Sequence, residues 1–247
     1  MKKITLFIAL LLVQNTFFAQ VQLLSYGHIE YERRTNQHKL IDALGMEKSM
    51  TDEVKKTASK VLVDKFLLRF SGNYSDYRLT GTNEHNQYFA LPAPSAEDFV
   101  QKDLGKQRLH FRKDLLGNVL VVNDSLQNFK WKILPEIRII AGFECKKAVA
   151  VMYDSVYVVA FFTTDIIHSS GPEIFCGLPG MILEIAIPRL FTTWVATLLK
   201  LVQTDITLLN KPSEEPAIKK REFLNIIEET GSALPAEAKK TLWIYKF

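Results

Sequence analysis

Cys176 follows closely on His168 and stands directly before Gly177. A thiol near an imidazole is the sharpest nucleophilic arrangement in the chain, and the backbone N–H groups of the glycine-rich corner after it would suit an oxyanion. The neighbours are apolar and no acid is placed to orient the imidazole, so a disulfide or a core thiol is the plainer reading. The only other cysteine is Cys145. In an oxidising compartment a Cys145–Cys176 bridge would close a loop of about 30 residues, worth roughly 3–4 kcal/mol on the chain-entropy view. Two separate buried thiols are the alternative. Glu184 sits in an apolar run, Met181-Ile182-Leu183-Glu184-Ile185. There it is either a ligand contact with a raised pKa or a rim residue paired with Lys146 or Arg189. Period-two alternation puts Met181, Leu183 and Ile185 on one face and Ile182 and Glu184 on the other. Phe161, Phe162, Trp131 and Trp194 would line a hydrophobic groove or simply fill a core.

The search for other chemistry is negative. The chain has no Gly-x-Ser-x-Gly elbow, no His-Glu-x-x-His, no phosphate loop and no dinucleotide Gly-x-Gly-x-x-Gly. Its five histidines, His28, His38, His85, His110 and His168, are dispersed. A metal site assembled from His28, Glu30 and His110 is disfavoured, because isolated strand histidines are usually solvated or hydrogen-bonded. No metal, cofactor or catalytic set is expected. The net charge is +4, two of these charges being Lys2 and Lys3, which leaves no case for nucleic-acid binding.

The elements that would position these residues read mostly as strands. Leu24 to Arg33 alternates as a first strand. Lys60 to Phe70 and Tyr74 to Thr80 flank the turn Ser71-Gly72-Asn73. A short helix is predicted over Thr51 to Ser59, with Thr51 as its cap, and residues 81–105 read as a long loop. Further hairpins pair Arg108 to Lys113 with Val119 to Asn123, Phe143 to Tyr153 with Val156 to Thr163, and Met181 to Ile187 with Thr192 to Val202. Successive short turns predict a mainly β fold, an antiparallel meander open to strong curvature as a half-barrel. The tail changes character: Glu214 to Glu229 has amphipathic helical spacing, and Pro235 to Trp243 suits another helical turn.

The corner Gly177-Leu178-Pro179-Gly180-Met181-Ile182 combines φ freedom at two glycines with a fixed φ at Pro179. It resembles the signature of the GLPGLI family of bacterial envelope proteins, with Met181 where the family has Leu. Ala141-Gly142-Phe143-Glu144-Cys145-Lys146-Lys147-Ala148 is similar to the family's Gly-aromatic-x-Cys-x-Lys-Ala segment. Phe161-Phe162-Thr163-Thr164-Asp165-Ile166 stands where relatives carry Trp-Tyr/Phe-Thr before Ile-Pro, with Phe161 for the Trp and Ile167 for the Pro. Ser170-Gly171-Pro172 matches the Gly-Pro before the signature. The resemblance spans residues 107 to 202. It includes Cys145 but not Cys176, and it implies an exported protein without an established biochemical role.

The first residues agree with export. Lys2 and Lys3 precede an apolar core, Ile4 to Val13, too short to span a bilayer, and Ala19 offers a cleavage position. Residues 1–19 read as a signal peptide and 20–247 as one β-rich domain with a helical tail over 210–247. No Cys follows the apolar core to carry a lipid, and no later run is long enough for a transmembrane helix. The expected location is periplasmic, outer-membrane-associated or secreted. The expected role is a non-enzymatic binding or envelope-assembly module, its partner an apolar ligand or a segment of an envelope protein. A hydrolase built on Cys176 and His168 and a purely structural surface protein are the rivals.

Overall fold

A computed structural model describes residues 24–153, 155–203, 216–232, 234 and 238–247. The expected signal segment, residues 1–19, lies outside the described residues. The strands are β1 (Tyr26–Asn36), β2 (Val61–Ser71), β3 (Tyr74–Thr82), β4 (Phe99–Asp103), β5 (Arg108–Leu115), β6 (Asn118–Ser125), β7 (Lys132–Ile140), β8 (Phe143–Met152), β9 (Val156–Thr163), β10 (Met181–Ile187), β11 (Thr192–Lys200) and β12 (Ala217–Ile218). The helices are α1 (Gln37–Asp42), α2 (Lys48–Thr57) and α3 (Lys220–Ser232), and a 3₁₀ segment spans Ala238–Lys246.

These strands form one open twelve-stranded sheet in the order β12-β6-β5-β4-β3-β2-β1-β11-β10-β9-β8-β7, not closed into a barrel. The expected antiparallel meander is present twice. One runs outward from β1 to β6 and the other from β11 back to β7, and the pairing of β1 with β11 joins them. Among the described strands β12 alone forms a parallel ladder, against β6, and an isolated parallel bridge joins Leu24 to Ile166. Alternation in the long strands is clean. In β1 the buried positions are Gly27, Ile29, Tyr31, Arg33 and Thr35, and in β2 they are Leu62, Asp64, Phe66, Leu68 and Phe70. This is the period that puts one face of a sheet on a core.

The core face is filled by the chain itself. Leu40 and Ile41 of α1, Phe223 and Ile227 of α3, and Leu242, Ile244, Tyr245 and Phe247 near the C-terminus all join the buried cluster. So do Ile166, Ile174, Phe175 and Leu178 from the long connection between β9 and β10. Burying each such large side chain stabilises by about 1.5–3 kcal/mol against its exposed state.

Three expectations need correction. Residues 81–105 are not all loop, because β4 lies within them. Phe99, Val100, Gln101 and Lys102 are all buried, so no alternation marked this strand. The first predicted helix begins earlier, at Lys48, and Thr51 lies inside it, its hydroxyl donating to the Glu47 carbonyl at 3.0 Å instead of capping. The tail helix is displaced to Lys220–Ser232; the start of the predicted one, residues 214 and 215, lies outside the described residues.

Candidate functional site

The β9–β10 connection carries the signature and is held from several sides. Gly180 has φ +146°, and a Cβ there would lie 2.0 Å from the Thr163 carbonyl oxygen. Only glycine lets the two backbones approach this closely. At Gly171 a Cβ would lie 2.7 Å from Ile182 Cβ, so the loop is packed flat on β10. The Gly177 N–H donates to Ser169 O (3.0 Å), the Gly180 N–H to Leu178 O (2.8 Å) and the Ile182 N–H to Ser170 O (2.9 Å). The amides of Gly177, Gly180 and Ile182 are therefore spent on backbone carbonyls, which takes them away from the oxyanion site that a Cys176 nucleophile would need.

Beneath the connection sits Lys102, 1% exposed. Its Nζ donates to the carbonyls of Gly171 (2.7 Å), Glu173 and Phe175 (3.2 Å). Burial pushes its pKa down to about 8, with Cys176 and Glu173 working against that fall. Glu173 is itself buried, holds φ +49°, and accepts from Lys113 Nζ at 2.8 Å. Trp131 closes the other side by donating from Nε1 to the Cys176 carbonyl at 2.9 Å. Nothing in the sequence marked Lys102, a lysine two residues beyond Val100 in a stretch read as loop.

The braced loop forms one wall of a cleft of about 530 Å³. His168, Ser169, Cys176 and Gly177 line that wall, Asn73, Gln107, Gln127 and Asn128 supply carboxamides from other elements, and Leu104, Leu126, Phe129 and Ile167 add apolar surface. Asn73 lies in the β2–β3 turn, Gln107 precedes β5, and Gln127 and Asn128 follow β6. Gln107 also lines an adjoining groove of about 630 Å³ whose basic residues are Lys106, Arg108 and Lys219.

Cys176 and His168 thus share a cleft, but not a reactive geometry. Burial pushes the Cys176 thiol pKa up against the pull of Lys102 and Lys220, and its Sγ points toward the Gln127 carbonyl at 3.9 Å. A thiol held protonated is a poor nucleophile. His168 Nε2 lies 3.2 Å from the Tyr74 carbonyl, which can only accept, so Nε2 carries the proton. Nδ1 is buried without a hydrogen-bond partner among the described residues. Desolvation, helped by Lys102, pushes the His168 pKa down to about 4.

Of the two readings of the cysteines, the Cys145–Cys176 bridge is corrected: both are free and buried, as the alternative of two separate thiols has it. Cys145 lies on β8 opposite Arg138 of β7, and burial raises its thiol to about 12, with Glu184 and Asp165 among its charged neighbours. Cys176 feels Lys102 and Lys220 instead, so the two thiols occupy different parts of the core.

Glu184, Phe161 and Phe162 do not line this cleft. Leu183 is an extra residue in β10, because Ile182 pairs with Phe162 and Glu184 with Phe161. This bulge breaks the expected alternation and puts Ile182 and Ile185 on one face. Glu184 accepts from Arg138 Nη1 at 3.1 and 3.2 Å, not from Lys146 or Arg189, and the Arg138 guanidinium lies 4.3 Å from the Phe161 ring centre. Phe162 and Trp194 are core, and the latter is fully buried. Among the described residues no cluster of His, Cys, Asp or Glu could hold a metal; His28 and Glu30 lie on β1 and His110 four strands away on β5. No described helix is long and apolar enough to cross a membrane.

Residues 151–184, from the end of β8 through the signature, match a sequence family described as "Protein of unknown function (Porph_ging)". No curated protein matches the chain. Among solved structures, PNGF-II in a C2 crystal form is 13% identical with a TM-score of 0.52, over 83% of this chain and 33% of that one. A P21 form of PNGF-II gives 13% identity, 0.51, 83% and 34%. An uncharacterized conserved protein from Thermus thermophilus gives 6% identity and 0.40, over 80% and 92%. The chain spans about a third of the length of PNGF-II, and at this identity the likeness is one of fold alone.

Proposed function

We propose that the protein is an exported envelope module of the GLPGLI type that binds, without chemistry of its own, a polar extended segment of a partner protein in the carboxamide-lined cleft. The observation that carries this reading is the pairing of Asn73, Gln107, Gln127 and Asn128 with a wall braced by Lys102. Carboxamides both donate and accept, which suits the N–H and C=O groups of an extended peptide; Gln107 already donates to the Leu104 carbonyl and Gln127 already accepts from Lys220 Nζ, so Asn73 and Asn128 carry most of this role. The neighbouring Lys106, Arg108 and Lys219 favour acidic residues in the same segment. An apolar guest is disfavoured, because the core face is occupied by the chain's own loop and tail. The Cys176–His168 hydrolase is disfavoured by a thiol held protonated and an imidazole proton committed to Tyr74.

The test is native mass spectrometry of the protein purified from its own envelope, alongside the double variant Asn73→Ala/Asn128→Ala. Both residues are exposed, so the fold should be untouched. A co-purifying polypeptide that the double variant loses at unchanged melting temperature supports the reading. A bound lipid, or a polypeptide retained by the variant, overturns it.

A further inference from the structure

The two edges of the sheet end differently. β6 is covered by β12 through Ala217↔Val121 and Ile218↔Val122. At the far edge, among the described residues, β7 forms a ladder only with β8, although it also packs close to β11. Its Ile137 and Ile139 are 52% and 69% exposed, the kind of bare apolar edge that soluble proteins usually blunt. The β7–β8 hairpin turns through Ala141 and Gly142, at φ +49° and +86°, as a two-residue type I′ turn requires. Ile140 and Phe143 flank the turn as a hydrogen-bonded pair, and alternation makes Arg138↔Cys145 the next one. The N–H and C=O groups of Ile137 and Ile139 therefore point away from β8, toward the open edge.

We propose that this edge pairs with the same edge of a second copy of the chain, antiparallel about a two-fold axis at Ile137. In that register each Ile137 N–H donates to the Ile137 carbonyl of the other copy. Glu136 and Arg138 are symmetric about Ile137, so each copy's glutamate faces the other's arginine. An axis at Glu136 or Arg138 would instead set like charges directly opposite, which is unfavourable. Within the chain the two side chains, 46% and 51% exposed, already approach each other at 3.7 Å and also contact Lys147 and Glu184, so the contact between copies exchanges or shares these pairs. The occupant is a second copy because the charge pattern complements itself about one residue. The register irregularity between Ile133 and Ile137 takes residues 134–136 out of pairing with β8 and keeps the contact short.

Sedimentation velocity of the purified protein tests this. At about 100 µM a dimer that dissociates on dilution is expected, the behaviour of a contact of micromolar strength. Glu136→Arg alone sets arginine against arginine, and Arg138→Glu alone sets glutamate against glutamate. Each variant should run as a monomer while keeping its circular dichroism spectrum. An equimolar mixture should restore the dimer, because the new arginine then faces the new glutamate. Ile137→Pro removes an N–H that β8 does not use and should weaken the dimer at least about tenfold without unfolding the chain. A monomeric wild type at that concentration overturns the proposal. So does a dimer that survives Ile137→Pro, or a mixture of two folded variants that stays monomeric.

Discussion

Arg33 and Lys102 are both cations buried under the same sheet, and the fold treats them in opposite ways. Arg33 has a carboxylate, Asp64 Oδ2 at 2.8 Å, and Asp64 also accepts from Asn86 and Tyr88. Burial works against the Arg33 charge, but Asp64 and Glu173 outweigh it and the guanidinium pKa is raised. The hydrogen-bond partners of Lys102 are three backbone carbonyls, and burial wins, pushing its pKa down to about 8. The difference follows from what each one holds. Arg33 ties β1 to β2, strands already joined along eleven residue pairs. Lys102 ties β4 to a connection without a continuous ladder of its own, where the backbone acceptors would otherwise be buried unpaired. One cation reinforces regular structure; the other substitutes for it and shapes the wall of the cleft.

The contrast can be broken or sharpened by substitution. The largest effect belongs to the loop that Lys102 holds. Gly180→Val drives a side chain into the Thr163 carbonyl, so a loss of more than about 4 kcal/mol in denaturant unfolding, or outright failure to fold, is expected. An unchanged melting temperature would remove the close packing and make the signature a freely placed binding loop. Arg33→Met leaves the Asp64 carboxylate buried without its cation and should cost about 3–5 kcal/mol at neutral pH. A loss under about 1 kcal/mol would mean that Asn86 and Tyr88 suffice for Asp64.

Lys102→Met should cost less at neutral pH, about 2–3 kcal/mol, because deleting the donor orphans carbonyls while also removing a buried charge. Its distinguishing mark is pH. Between about 8 and the unfolded lysine value near 10.5 the unfolded chain binds more protons than the folded one, so wild-type stability rises with pH in that window. The gap between wild type and Lys102→Met should therefore widen there by roughly 3 kcal/mol, while the gap to Arg33→Met stays flat. Urea titrations at about pH 7.5 and about pH 10 would show it. Parallel gaps for both variants would erase the distinction between the two cations. The smallest effect is expected at Asn128→Ala, within about 0.5 kcal/mol in stability, because the side chain is exposed and lines only the cleft.

Legibility in the sequence followed the range of the interaction. The turns at Ser71-Gly72-Asn73 and Leu116-Gly117-Asn118 and the alternation of β1 and β2 are local, and each could be read from a few neighbouring residues. β4 was missed because burial on both faces erases the period that identifies a half-buried strand. The acid at Glu184 was legible, but its partner was not. Arg138 reaches it from β7 across β8 and β9, a neighbour that exists only once the second meander has folded.

What the sequence determined by itself is therefore the mainly β character, the hairpins and the glycine corner, since strand period, turn chemistry and φ freedom are properties of short stretches of chain. Tertiary structure alone decided that Cys145 and Cys176 stay apart, that the Gly177, Gly180 and Ile182 amides are taken up by backbone carbonyls, and that Lys102 enters the interior to hold a loop. Each of those outcomes depends on which distant groups share a dry neighbourhood. Spacing along the chain carries no record of that, because burial and hydrogen-bond supply are fixed only when the sheet closes over them.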